Sequence, residues 1–383
     1  MFLALRDLRF ATGRFALMGS VVALISLLLV MLSGLTAGLG GQNTAAIDRL
    51  GEQGVQRLVF GGAAGQEPTA SFTQSEFTVA QRDAWAATDG VASVEPLGVS
   101  QGRAIGLEHP VDTDPQGRAD VSGEPTTGVA TTAFIGLTPG GSDAPAGVEP
   151  GQIVLSQDVA DSLHAQAGDA VAVSGFVYTV ADVVPTEYYS HSPVTWLALE
   201  DWNAISHTAD DAVLGTAGLV RFDAGADVDA VAAAGDDAAG TVAETVKGSY
   251  AALPSYRSEN GSLMTMQGFL YGISALVVIA FLSIWTVQRT RDIAVLKALG
   301  GSNGWVLKDS LAQAAFVLVG GVAVGTGLAA AIGAFAGRAV PFELSWATTA
   351  VPAAGVLVLG MLAAVVAVYR VTRIDPLVAL GGN

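Results

Sequence analysis

The sequence contains no cysteine, which removes disulfides, thiolate catalysis and thiolate metal ligation together. It contains no Gly-Lys dipeptide either, so the G-x-x-x-x-G-K-[ST] loop that cradles nucleotide phosphates is absent. Charge is scarce: 14% of the 383 residues are Asp, Glu, Lys or Arg, against about 25% in an ordinary soluble domain. Histidine occurs at four positions only. His109, His164 and His207 show no metal-ligand spacing, and no nucleophile and base can be recognised together. Neither an intrinsic metal site nor an enzyme is expected.

What is present is apolar length. Four stretches carry no Asp, Glu, Lys or Arg: residues 15–43, 261–288, 310–337 and 344–369. Each exceeds the roughly 20 residues that cross a bilayer core. The first is preceded by Arg6, Arg9 and Arg14 as a secretory signal would be, but its apolar run to about residue 39 outlasts a signal core of about 7 to 15 residues, so a retained helix is expected. The expected fold is therefore an integral membrane α-helical protein with four transmembrane helices at 15–39, 264–288, 310–337 and 347–370. A large α+β extracytoplasmic domain, residues 40–263, is inserted between helices 1 and 2.

Charge placement sets the expected orientation. Nine of the 18 Lys and Arg residues fall in the N-terminal segment, between spans two and three, and in the tail. The positive-inside bias puts all three segments in the cytoplasm of a plasma (inner) membrane, leaving 338–346 as a short outer loop and 371–383 as a cytoplasmic tail. Residues 1–14 set Phe2, Leu5 and Leu8 against Arg6 and Arg9, the pattern of a short amphipathic helix on the inner membrane surface. The 40–263 insertion holds 30 acidic and 8 basic residues, which excludes a nucleic-acid partner.

Within the insertion, Thr78 and Gln81 make a capping box for a helix reaching Ala87, Val91 to Val99 read as a strand, 108–125 as a loop, and 127–137 as another strand. Ile153 to Leu155 read as a strand and 157–165 as a helix started by Ser156. Two further strands, 170–174 and 178–184, turn at Gly175. "VTWLALEDWNAI" reads as a strand and a helix. Residues 227–245 read as an Ala-rich helical region broken at Gly235 and Gly240. In the apolar spans, small residues recur four apart at Gly34/Gly38, Gly268/Gly272, Gly321/Gly325 and Gly333/Gly337, a spacing that lets backbones approach closely.

The sharpest motif lies in the expected cytoplasmic segment 289–309. "QRTRDIAVLKALGGSNG" places Ile293, Leu296 and Leu299 at helical spacing with Val295 beside them, flanks them with Arg289, Arg291 and Lys297, and stops at Gly300-Gly301. Setting topology needs only loose basic residues; a capped amphipathic turn suits docking. This run resembles the coupling segment of the FtsX-like, macrolide-exporter-type (type VII) ABC transporter permeases, and the tail "YRVTRIDPLVALGG" is similar to that family's closing pattern. The block 151–184 resembles its outer domain. The resemblance implies a homodimer working with two separate ABC ATPase subunits that bind ATP and Mg. Ile293, Val295, Leu296, Leu299 and Gly300 would make the ATPase contact, and Arg289, Arg291 and Lys297 would add charge. It further implies a relay of mechanical force in place of a wide channel, with substrate taken from the outer leaflet of the surrounding lipid.

The stretch "LPSYRSENGSLMTMQGFLYGISALVVIAFLSIWTVQRT" is similar to the haem-exporter branch of that family. Haem iron takes His, Met, Tyr or thiolate as axial ligands. The candidates here are Met31 in span one, Tyr188, Tyr189 and His191 in "EYYSHSP", and Tyr256, Met264 and Met266 around the start of span two. Two alternatives stay open. One is export of another amphipathic compound, peptide, drug or lipid. The other is mechanical control of a cell-wall hydrolase or signal, which the large outer insertion disfavours.

Overall fold

The computed structural model describes residues 12–63, 65–206, 212–288 and 303–372. The expected N-terminal amphipathic helix up to residue 11, the coupling residues Arg289, Arg291, Ile293, Val295, Leu296, Lys297, Leu299 and Gly300, and the tail from residue 373 lie outside the described residues.

The chain divides into two compact units, one of residues 1–39 with 260–383 and one of residues 40–259. In order, the elements are α1 (Thr12–Glu52), β1 (Arg57–Phe60), β2 (Phe77–Thr78), α2 (Val79–Ala86), β3 (Val91–Leu107), β4 (Thr126–Leu137), β5 (Gln152–Ser156), α3 (Gln157–Leu163), β6 (Ala170–Val173) and β7 (Phe176–Val184). They continue with β8 (Tyr188–Tyr189), β9 (Ser192–Ala198), α4 (Leu199–Ser206), β10 (Val213–Gly215), β11 (Ala217–Phe222), α5 (Val228–Ala239), β12 (Val242–Thr245), α6 (Pro254–Gln288), α7 (Asn303–Ala336) and α8 (Trp346–Thr372).

Among the described residues, four helices are long and apolar enough to cross a membrane: Phe15–Glu52, Pro254–Ile284, Lys308–Ala336 and Trp346–Val368. This is a membrane protein. All four helices bury apolar side chains in one core, with Met18, Val22 and Leu29 of α1 against Val278 of α6, Leu318 of α7 and Val356 and Ala364 of α8. Their remaining faces expose large apolar groups such as Phe269, Leu276, Phe335 and Leu362, as helices solvated by lipid do.

The spaced glycines act in different ways. A Cβ on Gly325 would stand 2.8 Å from Ser26 Cβ, and one on Gly321 2.9 Å from the Gly19 carbonyl oxygen, so α1 and α7 touch almost backbone to backbone. A Cβ on Gly268 or Gly272 would meet nothing within 4 Å.

The second unit is β-rich. Strand β3 is 17 residues long and pairs on both edges. Its first half joins the antiparallel set β12-β1-β11-β3. Its second half pairs with β4 and, through Ala104↔Val173 to Gly106↔Val171, with β6. The sequence of pairings β3-β4-β9-β5-β7-β6 thereby returns to β3 and closes a six-stranded barrel. Phe134, Ile153, Leu155, Leu163, Tyr178 and Trp202 fill or cap it. Closure removes the exposed edges that an open sheet would present. Trp202 fits because Gly98 and Gly136, paired across β3 and β4, leave room: a Cβ on either would come within 2.7 Å of the indole.

Several local readings hold. Thr78 and Gln81 form the capping box, and Ser174 (φ 50°) with Gly175 (φ 85°) turns β6 into β7. Others need correction. Ser156 precedes α3 but makes no cap; its hydroxyl donates instead to the Val194 carbonyl at 2.6 Å. Gly235 does not break α5, which runs to Gly240; it lies against the Trp85 ring, where a Cβ would stand 2.5 Å from Cζ3. Beyond Gly240 the chain is strand β12, not helix.

Candidate functional site

The β8–β9 hairpin carries three of the candidate residues. Tyr189 pairs with Ser192, leaving Ser190 and His191 as a two-residue turn with φ of 48° and 63°. Such a turn suits the twist of a hairpin, but side chains other than Gly and Asn adopt it at a cost. The turn is held from outside. The Ser190 and His191 amides donate to the backbone carbonyls of Asn43 (3.1 Å) and Gln42 (2.9 Å) in α1.

The side chains continue the contact. His191 Nε2 lies 2.9 Å from both carboxylate oxygens of Glu259 in α6. Asn43 Nδ2 lies 3.0 Å from the same ring nitrogen and donates to Glu259 Oε2 at 3.2 Å. Ser255 donates to Asn43 Oδ1 at 2.7 Å, and its oxygen is 2.8 Å from that of Ser190. With the imidazole protonated, the His191–Glu259 contact is an ion pair on a partly exposed surface. A hairpin tip, a helix end and a helix start thus meet in one polar knot within this unit.

The tyrosines divide. Tyr189 is buried with its ring edge-on to Phe72 at 5.8 Å, and burial pushes its phenol up. Tyr188 donates to Asp158, and that bond holds its phenol up at about 12. Tyr256 stacks edge-on with Tyr250 at 5.4 Å, and Tyr250 donates to Asp48. Beside the hairpin, Glu187 is 3.6 Å from Arg49, whose guanidinium lies over the Trp196 ring. Burial raises the Glu187 carboxyl above its ordinary value, with Arg49 opposing the shift.

Met31, Met264 and Met266 belong to the helical unit: Met31 is half-buried, while Met264 and Met266 are 62% and 47% exposed. His164 closes α3 in a left-handed conformation. Among the described residues no three His, Asp or Glu side chains gather as a metal would require. Asn43 and Ser255 were not picked out by sequence spacing, because the contacts that unite them with the hairpin span 65 to 148 residues.

Among the described residues the chain combines four lipid-facing helices with a β-rich insertion after the first of them. Residues 264–376 match the family described as "FtsX-like permease C-terminal", and the chain carries an FtsX-like permease domain. Over 387 aligned residues, covering 100% of both chains, it is 22% identical to the Staphylococcus epidermidis protein named "Putative hemin transport system permease protein HrtB". The protein of the same name from Staphylococcus haemolyticus is 29% identical over 130 residues, 34% of this chain and 37% of that one. Among solved structures, the extracellular domain of the ABC-type transporter YknZ from Gram-positive bacteria aligns with 49% of this chain and 95% of its own at 13% identity. Its TM-score of 0.31 is too low to argue from.

Proposed function

We propose that this chain is the permease subunit of an ABC-type efflux transporter. It works as a homodimer with two separate ATPase subunits and extracts haem from the outer leaflet of the plasma membrane by a mechanical relay. The observation that carries the reading is the end-to-end similarity to proteins named for hemin transport, together with the FtsX-like domain over 264–376. The lack of a G-x-x-x-x-G-K-[ST] loop in the sequence supports placing ATP and Mg on the partner.

In this reading both termini are cytoplasmic and the β-rich unit is external. The segment carrying Arg289, Arg291, Ile293, Val295, Leu296, Lys297, Leu299 and Gly300 is the seat of the ATPase in this reading. Helices α1 and α6, of 41 and 35 residues, are about 60 and 50 Å long at 1.5 Å per residue and serve as the rods of the relay.

Haem is a flat apolar ring with two carboxylates, able to partition into a bilayer and leave it sideways. In the β-rich unit Tyr188, His191 and Tyr256 offer ligand or hydrogen-bonding groups, while Tyr189, with its ring buried, shapes the turn. In the helical unit Met31, Met264 and Met266 offer thioethers.

The test uses the full chain in lipid nanodiscs with hemin and with its ATPase. A shift of the Soret band and hemin-dependent ATP hydrolysis are expected. Neither appearing would overturn the cargo assignment.

A further inference from the structure

Two of the four glycine pairs do not bring helices against each other. They make room for a side chain. The segment between α7 and α8 folds back so that the Phe342 ring lies between Gly34 of α1 and Gly333 of α7. A Cβ on Gly34 would stand 2.5 Å from Phe342 Cε2, and one on Gly333 2.7 Å from Cζ. The backbone follows the ring: a Cβ on Gly38 would stand 2.8 Å from the Phe342 amide nitrogen, and the Glu343 amide donates to the Gly34 carbonyl at 3.0 Å. The far side of the segment is tied to the start of α8, where Ser345 and Thr348 bond each other's amides and Thr348 donates to the Glu343 carbonyl.

We propose that Phe342 is a positioning residue for transport, a clip that makes α1 and α7 move as one body; the proposal rests on the relay described above. The two helices are joined at two heights. Gly321 and Gly325 sit against Gly19, Val22, Ala23 and Ser26, and Phe342 sits in the sockets of Gly34 and Gly333. A pair of rods fixed at two separated points cannot pivot about either, and close-packed contacts of this kind transmit displacement with little give. Helix α7 begins at Asn303, close after the residues 289–300 assigned above to the ATPase contact, whereas α1 runs on to Glu52. A push received by α7 therefore reaches α1 through the clip. An aromatic ring in a glycine socket suits this role because it is rigid and large, and a β-carbon on either helix would expel it.

The cysteine-free sequence allows a direct test. Nitroxides on Ala37→Cys and Ala334→Cys, in the full chain in nanodiscs, report the α1–α7 distance by pulsed electron resonance. Phe342→Ala is expected to broaden the distance distribution. In the complex with its ATPase it is expected to lower hemin efflux per ATP hydrolysed by about tenfold, the scale of a typical coupling between sites, while ATPase binding and turnover persist. Gly34→Ala should reproduce the loss, and Gly34→Ala with Phe342→Leu should recover part of it, which a general loss of stability would not. An unchanged distribution and unchanged efflux per ATP in Phe342→Ala would overturn the clip. So would equal losses of efflux, turnover and melting temperature with the distribution unchanged. If the unmodified chain binds no ATPase or moves no hemin, the transporter reading fails, and the distance measurement still decides the clip.

Discussion

At the scale of single residues, the fold depends on places where a side chain is missing or a charge is buried. Gly235 in α5 faces the indole of Trp85, whose Nε1 donates to Thr241 at 2.9 Å. Gly235→Val forces that ring out of its site and is expected to destabilise the β-rich unit by about 1–3 kcal/mol, measurable as a lower denaturant midpoint by tryptophan fluorescence. Glu187 offers a pH test. Its folded carboxyl is raised above the ordinary value by burial, so the folded state keeps the proton that the unfolded chain has already released. Its contribution favours folding at low pH and is lost as pH rises from the ordinary value of 4.5 through the higher folded one. Glu187→Gln should therefore flatten the fall in melting temperature above pH 4.5. Asp201 and Asp236 are raised by burial in the same way and remain in both proteins, so the difference isolates Glu187. An unchanged profile would mean that Arg49 offsets the burial.

At the scale of elements, legibility followed locality. The Thr78/Gln81 capping box and the turn at Gly175 were readable because each joins residues at most four apart. Strand β3 was readable only to Val99, because "SQGRAIGL" beyond it has small and polar residues whose strand character comes from partners on both edges. The four-residue glycine spacing was equally visible at four sites, yet one pair packs helix on helix, two receive a loop, and one faces open space. Substitutions should separate these roles. Gly325→Leu collides with α1 and is expected to lower the melting temperature in detergent, at a cost of about 1–3 kcal/mol. Gly268→Leu leaves the single chain's packing untouched, since nothing stands within 4 Å. If span two instead lies against the second copy, Gly268→Leu weakens the dimer, and mass photometry in nanodiscs would register the shift to single chains.

At the scale of the whole molecule, the assembly is predicted to separate binding from work. Leu296→Asp places a carboxylate among the apolar residues of the segment proposed to contact the ATPase. It is expected to abolish ATPase capture in a pull-down and hemin efflux in vesicles, while the hemin Soret shift of the permease itself stays. Efflux at the unmodified rate would remove that segment from the mechanism. Loss of the Soret shift as well would mean that the substitution had damaged more than docking.

What the sequence determined by itself was what composition and short spacing can encode. Four uncharged stretches dictate four membrane helices, because an unpaired charge or an unsatisfied backbone is costly in hydrocarbon; the insertion's length and polarity dictate a separate unit. Tertiary structure alone decided that β3 closes a barrel through β6, that a tight turn at Ser190-His191 is held by Asn43 and Glu259, and that Phe342 occupies two glycine sockets. Each of these includes contacts between residues dozens to hundreds of positions apart. No local periodicity records such a pairing, since it exists only once packing has brought the partners together.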